Sequence, residues 1–221
     1  MFDTLLSLPL FQGLGNTDLT RILESTHLKF ETLPPDTQFV HQDDLCNDVF
    51  FIMDGHVSCA TAAANHLWRV EEAMPTPAVL GLEALYGSTR VYPCSAIAAT
   101  AVRLMRVDKR TMAALTGYFE VFRINVLNTL STLIARQRQL QWLPSPQTLE
   151  GRIIHFMRTH VQRPAGFKSF HISMQTLGAY LGEDSRYVSK ALHRLEEKGL
   201  LHLERRAIHI PAFENIIKET L

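Results

Sequence analysis

Apolar positions in this 221-residue chain change their spacing several times, and each change marks a change of element. The opening stretch, LPLFQGLGNTDLTRILESTHLKFETL, reads as a short amphipathic helix capped near Asn16 or Thr17, with Leu19, Ile22 and Leu23 on its buried side. From about Phe30 to Val107 the pattern shifts to short runs rich in β-branched and aromatic residues. They are broken by turn signals at Pro34-Pro35-Asp36, Asp54-Gly55, Pro75 to Pro77 and Gly87-Ser88, which predicts many short strands closed into a small barrel or roll. Asp108 caps a following helix. After Gly117 a long helix runs from about Tyr118 to Trp142 without an internal proline or glycine. Its apolar positions, including Phe122, Val126, Leu127, Leu130, Leu133 and Ile134, are too many for one narrow stripe. Such a helix buries two faces: one packs on the roll, and the other calls for a second subunit, so a symmetric homodimer is expected.

Leu143-Pro144-Ser145-Pro146 stops this helix, because a residue before proline is pushed out of the α region, and it marks a domain boundary. Beyond it the pattern predicts a helix over about Ser145 to His160 with Leu149, Ile153 and Phe156 at helical spacing. A Pro164-Ala165-Gly166 loop, a strand at Phe170 to Ile172, two short helices and a closing hairpin follow. Ser173 is an N-cap for a helix with Leu177 and Leu181 on one face, Gly182 supplies a turn, and Asp184 caps a second helix. In that helix Val188, Leu192 and Leu195 form the buried side, and Ser185, Arg186, Ser189, Lys190 and His193 the other.

A helix in the DNA major groove needs polar, long side chains near its N-terminus and an apolar side that holds it to its scaffold. Arg186 and Lys190, four apart, can enter the groove together; arginine suits guanine, and Ser185 and Ser189 suit backbone contacts. The plainer reading is a helical hairpin with a solvated charged face. Against it stand the Leu-Glu-Glu-Lys-Gly-Leu-Leu helix end and a strand-turn-strand of wing type with Arg205 and Arg206 at its tip, placed to grip phosphate.

Composition sharpens this picture at three points. Net charge is zero, yet residues from Ser145 onward carry 11 lysines and arginines against 8 acidic residues, while the rest carries 11 against 14. A basic bias therefore falls on the segment expected to meet phosphate. Cys46, Cys59 and Cys94 are scattered and lack metal or disulfide spacing, and the ten histidines form no ligand motif, so buried thiols and no metal or other cofactor are expected. No basic leader or long apolar run is present, which leads to the expectation of a cytoplasmic protein with no membrane partner.

In order along the chain, SLPLFQGL, FVHQDD, VFFIMDGHVS, VLGLEALYG and YPCSAIAAT resemble the cyclic-nucleotide-binding β-roll of the catabolite-activator/FNR-type (Crp/Fnr) superfamily of bacterial regulators. The C-terminal part resembles that family's winged helix, whose recognition helix often reads S-R-E-T-V-S-R. The resemblance implies an α+β fold: an N-terminal helix and β-roll sensor over 1–117, a long dimerisation helix over 118–143, and a winged helix-turn-helix over 145–221. It also implies double-stranded DNA, a second copy of the chain and RNA polymerase as partners, and two recognition helices in successive major grooves of a near-palindromic site.

Departures from the family pattern are informative. Where cyclic-AMP-type members use a Gly-Glu pair and a later Arg-Ser pair to hold phosphate and ribose, this chain has Gly81-Leu82, with Glu83 one place late, and Tyr92-Pro93. Without that arginine a cyclic phosphate loses a charge-assisted hydrogen bond of roughly 1.5–3 kcal/mol. The expectation is a degenerate effector pocket that does not take cyclic AMP in the usual way, and a sensor that answers another ligand or redox signal or none. The N-terminal cysteine cluster of oxygen-sensing members is missing too, so no iron–sulfur cluster is expected. Arg186 occupies a position that is usually acidic, which alters the base preference there. An enzyme or channel fragment is disfavoured because no nucleophile elbow, phosphate loop or metal motif occurs; an interaction module that has lost DNA binding remains the second reading.

Overall fold

The computed structural model of the chain describes residues 2–26 and 28–218. Its elements are α1 (Phe2–Leu6), α2 (Asn16–Ser25), β1 (Lys29–Leu33), β2 (Gln38–Val40), β3 (Asp48–Asp54), β4 (Val57–Ala62), β5 (Arg69–Met74), β6 (Ala78–Leu80), β7 (Ser95–Ala98), β8 (Val102–Asp108), α3 (Lys109–Tyr118), α4 (Glu120–Gln141), α5 (Leu149–Thr159), β9 (Lys168–His171), α6 (Met174–Leu181), α7 (Ser185–Glu197), β10 (His202–Glu204), β11 (Ala207–Ile210) and α8 (Phe213–Lys218). Contacts group them into two compact units. One holds residues up to Ser58 and Met74–Arg138; the other holds Cys59–Ala73 together with the chain from Gln139 onward.

In the first unit β1, β8, β3 and β6 form an antiparallel sheet in that order, and β2 pairs with β7. Strand β3 lies between two neighbours and reads DVFFIMD, a nearly continuous apolar run with five consecutive buried residues, as a strand covered on both faces requires. Phe51 and Phe122 both meet the ring of Phe11 edge-on, at centroid distances of 5.3 and 5.1 Å, and this trio ties the N-terminal segment, the sheet and α4 into one core. Asn125 on α4 donates to the carbonyls of Leu10 and Gln12, which holds the same segment from its polar side.

Local capping chemistry sets several element ends. Asp108 caps α3 as expected, accepting from the Thr111 amide at 2.7 Å. For α2 the expected side-chain cap is corrected: the helix begins at Asn16 after Gly15, with no side-chain cap, and Leu19 and Ile22 are buried while Leu23 is only half-buried. The long helix starts at Glu120, because Tyr118 closes α3 and Phe119 separates the two. The helix after the prolines starts at Leu149, not near Ser145, because Thr148 caps it by accepting from the Gly151 amide.

Along α4, Phe122 and Val126 are buried, while Leu127 and Ile134 are 56% and 61% exposed. The second apolar face foreseen from the sequence therefore lies open in the single chain.

The second unit packs α5, α6, α7 and α8 around one core that includes Ile153, Phe156, Leu177, Val188, Leu192, Leu195 and Ile216. Its sheet runs β10-β11-β9-β5-β4, with β4 contributing from Cys59 on. Residues 59–73, which the sequence pattern places in the N-terminal roll, thus pack with the C-terminal elements. Helix α8 has no counterpart among the expected elements.

Candidate nucleic-acid interface

Helices α6 and α7 meet at a turn whose shape two glycines fix. Gly182 ends α6 in the left-handed region at φ +68, where side chains are disfavoured. Gly178 lies one turn earlier, and a Cβ there would come within 2.6 Å of the Glu183 carbonyl oxygen, so the backbone after the turn passes directly over it. Ser173 caps α6 by accepting from the Thr176 amide at 3.0 Å, and Arg152 on α5 pairs with Glu183 and donates to the Leu181 carbonyl.

Helix α7 divides cleanly by exposure. Val188, Ala191, Leu192 and Leu195 are buried in the core of the unit. Arg186, Lys190 and His193 are exposed, and Ser185 and Ser189 are half-buried at its first turns. Asp184 caps the helix through the Arg186 amide at 2.8 Å, and its carboxylate also receives the Arg186 guanidinium, Nε at 3.0 Å and Nη2 at 3.1 Å. That guanidinium holds the Asp184 carboxyl below the usual carboxylate range. Tyr187, 57% exposed between Arg186 and Val188, adds an aromatic group to the same helix. Sequence reasoning passed over it because exposed and buried tyrosines leave the same mark in a periodicity count.

Strands β10 and β11 form the expected hairpin, with His202 opposite His209 and Arg205-Arg206 as its two-residue turn. Arg206 sits at φ 64, a strained choice for a residue with a side chain. The hairpin is tied to α7 by Glu196, whose carboxylate accepts from the Leu203 amide at 2.7 Å and faces His193 and His202, each at 3.2 Å. The amide bond lowers the Glu196 pKa. Arg205 and Arg206 line a cavity of about 370 Å³ with Ser173, Thr176, His171 and Leu67. The wing tip and the start of α6 therefore share one hollow, and the exposed groups of α7 lie outside its lining.

The positions at which the sequence led to the expectation of a degenerate effector pocket lie in the first unit. Gly81, Leu82 and Tyr92 are buried, Pro93 is half-buried and Glu83 points its exposure to solvent. Tyr92 donates to the Asp48 carbonyl at 2.9 Å, and its ring edge lies where a Cβ on Gly81 would come to 3.0 Å. Cys46 donates to the Gly81 and Asp48 carbonyls at 3.4 and 3.6 Å. Asp48 itself pairs with Arg106 at 2.5 Å. Burial pushes the ionisation of both Tyr92 and Cys46 upward, which keeps them neutral hydrogen-bond donors. The Tyr92 phenol is thus held in the core beside Gly81.

Among the described residues no group of three or more His, Cys, Asp and Glu side chains could hold a metal ion, and no helix is long and apolar enough to cross a membrane. All three cysteines are buried thiols.

No family model and no curated protein matches the chain. Solved structures do. A putative transcriptional regulator of the Crp/Fnr family from Eubacterium rectale is 14% identical, with 97% of this chain and 98% of that one covered and a TM-score of 0.53. The Thermus thermophilus catabolite activator protein is 18% identical, with 96% and 97% covered and a TM-score of 0.48. FixK2 from Bradyrhizobium japonicum is 17% identical, with 87% and 97% covered and a TM-score of 0.49. The first of these shows the fold: an α+β chain with an N-terminal β-rich part, a long helix and a C-terminal winged helix-turn-helix.

Proposed function

We propose that the chain is a DNA-binding transcription regulator of the Crp/Fnr type, and not an enzyme, that reads its operator with α7. One observation carries the reading: α7 is anchored by four buried apolar residues and turns Arg186, Lys190 and His193 to solvent. Arg205 and Arg206 stand at the tip of a wing braced to the same helix through Glu196. Arg186 and Lys190 are the base-reading candidates, His193 lies further along the same face, and Ser185 and Ser189 serve phosphates. Arg205 and Arg206 grip the backbone beside the groove.

The exposed apolar residues of α4, Ile124, Leu127 and Ile134, are covered by α4 of a second copy, giving a homodimer on a near-palindromic site. In this reading the sensor comprises 1–117 apart from the docked hairpin, 118–143 is the dimerisation helix, and 145–221 with 59–73 is the DNA-binding part. The protein works in the cytoplasm alongside RNA polymerase. Its sensor does not take cyclic AMP in the usual way, because Leu82 and Tyr92 fill the positions where the phosphate would be held. Selection of binding sites from random duplex DNA by the purified protein tests the reading, and calorimetry with cyclic AMP tests the sensor part, where the expected heat is nil.

A further inference from the structure

Residues 59–73 precede the rest of their compact unit by some 65 positions, yet they are built into it by every kind of contact a domain core uses. Strand β5 adds to β9 in an antiparallel register that sets Arg69 opposite His171, Val70 opposite Phe170, Glu71 opposite Ser169 and Glu72 opposite Lys168. Strand β9 therefore carries the wing on one edge and this hairpin on the other.

The side chains repeat the message. Trp68 is buried against Phe156, His160 and Tyr180 at centroid distances of 5.2, 4.9 and 6.0 Å, and Tyr180 belongs to α6. Asn65 at the hairpin tip donates to the Tyr180 hydroxyl at 3.1 Å. Glu72 and Lys168, with side chains 1% and 0% exposed, pair at 3.3 Å. Glu72 also accepts from the Gln162 and Arg163 amides, and Lys168 donates to the Ala165 carbonyl at 2.7 Å. A buried ion pair adds little net stability, but it strongly penalises any arrangement in which one partner is missing, so it acts as a registry device. Against this, the Trp68 Nε1 is buried with no hydrogen-bond partner among the described residues, which weakens the docked state.

We propose that the hairpin 59–73 is a working part of the DNA-binding unit. Resting on the DNA-binding reading above, its docking through Trp68 and Glu72 positions α6 and the wing and thereby sets affinity for DNA. The tip residue Leu67 lines the same hollow as Ser173, Thr176, Arg205 and Arg206, and Asn65 and Trp68 meet Tyr180 of α6. Strands β4 and β5 each continue into the other unit, at Ser58 and Met74. Two of the three chain crossings between the units therefore run through this hairpin.

The test uses the full chain. Amide hydrogen exchange is expected to show residues 69–72 and 168–171 protected together in the wild type. Trp68→Ala should speed exchange in 168–181 and weaken binding to a selected duplex by roughly fivefold or more, although no DNA-facing residue is altered. Trp68→Phe, which keeps a ring and removes the unpartnered N–H, should retain both. A disulfide across the facing pair, Glu71→Cys with Ser169→Cys, locks the hairpin in place; the oxidised form should bind at least as tightly as the reduced form. The proposal is overturned if the locked protein binds about tenfold more weakly, if Trp68→Ala binds like the wild type, or if 69–72 exchange as freely as loops. Should Trp68→Ala fail to fold, the locked variant decides. Protection in 69–72 without any DNA binding by the wild type would fault the DNA reading and leave the docking standing.

Discussion

The carboxylate of Asp184 grips Arg186 twice over, through the backbone amide at 2.8 Å and through both Nε and Nη2 of its guanidinium. The arginine is thus oriented by its own helix cap. Orientation of this kind reduces what is lost on ordering a long side chain at an interface.

Asp184→Ser tests that link. Serine still caps the helix, so the unfolding midpoint should stay close to the wild type. Arg186 is released, and one negative charge leaves the exposed start of α7, the face proposed to meet DNA. Binding to unrelated duplex should strengthen while the preference for a selected site falls, as fluorescence anisotropy with the two duplexes at fixed salt would report. An unchanged preference would show that Asp184 does not orient the reading residue.

The dimer expectation rests on the open apolar face of α4. Leu127→Glu with Ile134→Glu puts two charges on that face without touching the buried Phe122 or Val126. The variant should fold, sediment as a monomer, and lose most of its affinity for a two-half-site duplex while retaining weak binding to one half-site. A variant that still sediments as a dimer would place the subunit contact elsewhere.

The buried pair in the second unit should respond non-additively. Lys168→Met strands the Glu72 carboxylate in the core and is expected to destabilise that unit by about 3–5 kcal/mol in denaturant unfolding. Adding Glu72→Gln to Lys168→Met removes the stranded charge, although it leaves an acceptor for only one of the Gln162 and Arg163 amides, which bond to different carboxylate oxygens, and should recover part of that loss. Equal losses in the two variants would mean that the stranded charge does not govern the site.

Stability should fall at both ends of the pH scale, for different groups. Asp108, Asp184, Glu196 and Glu214 are held below their ordinary values by hydrogen bonds to Thr111, Arg186, Leu203 and Gly166 respectively. A carboxylate depressed in the folded state contributes stability that is complete above its unfolded value, about pH 4, and is lost as pH falls through the folded value. Cys46 and Tyr92 are raised by burial, so the fold resists their ionisation, and stability declines once pH climbs past their unfolded values of about 8.5 and 10. Thermal melts should be flat between roughly pH 5 and 8 with respect to these groups. A decline of Asp108→Asn below pH 4 as steep as that of the wild type would remove Asp108 from the acid limb.

What the sequence disclosed was mostly local. Asp108, Ser173 and Asp184 announce helix starts because a cap needs only a short acceptor two or three residues before an amide, and each was legible as such. The buried side of α7 was legible because Val188, Leu192 and Leu195 keep helical spacing. The docking of 59–73 was not, because Glu72 and Lys168 are remote in sequence, and a strand that joins a distant sheet has the same alternation as one that joins its neighbours. The departure from the family pattern at Leu82 and Tyr92 was legible as an expectation, but only the structure shows the Tyr92 phenol bonded to the Asp48 carbonyl with its ring against Gly81.

The most direct measurement is the affinity of the purified full-length chain for duplexes enriched from a random pool, compared with that of Arg186→Ala and Lys190→Ala. The account predicts enrichment of a near-palindromic site, a loss of about tenfold or more for each variant, and relaxed preference at the base pairs each residue reads. No enrichment, or variants that bind the enriched site as tightly as the wild type, would contradict the assignment of α7 as the DNA-reading helix.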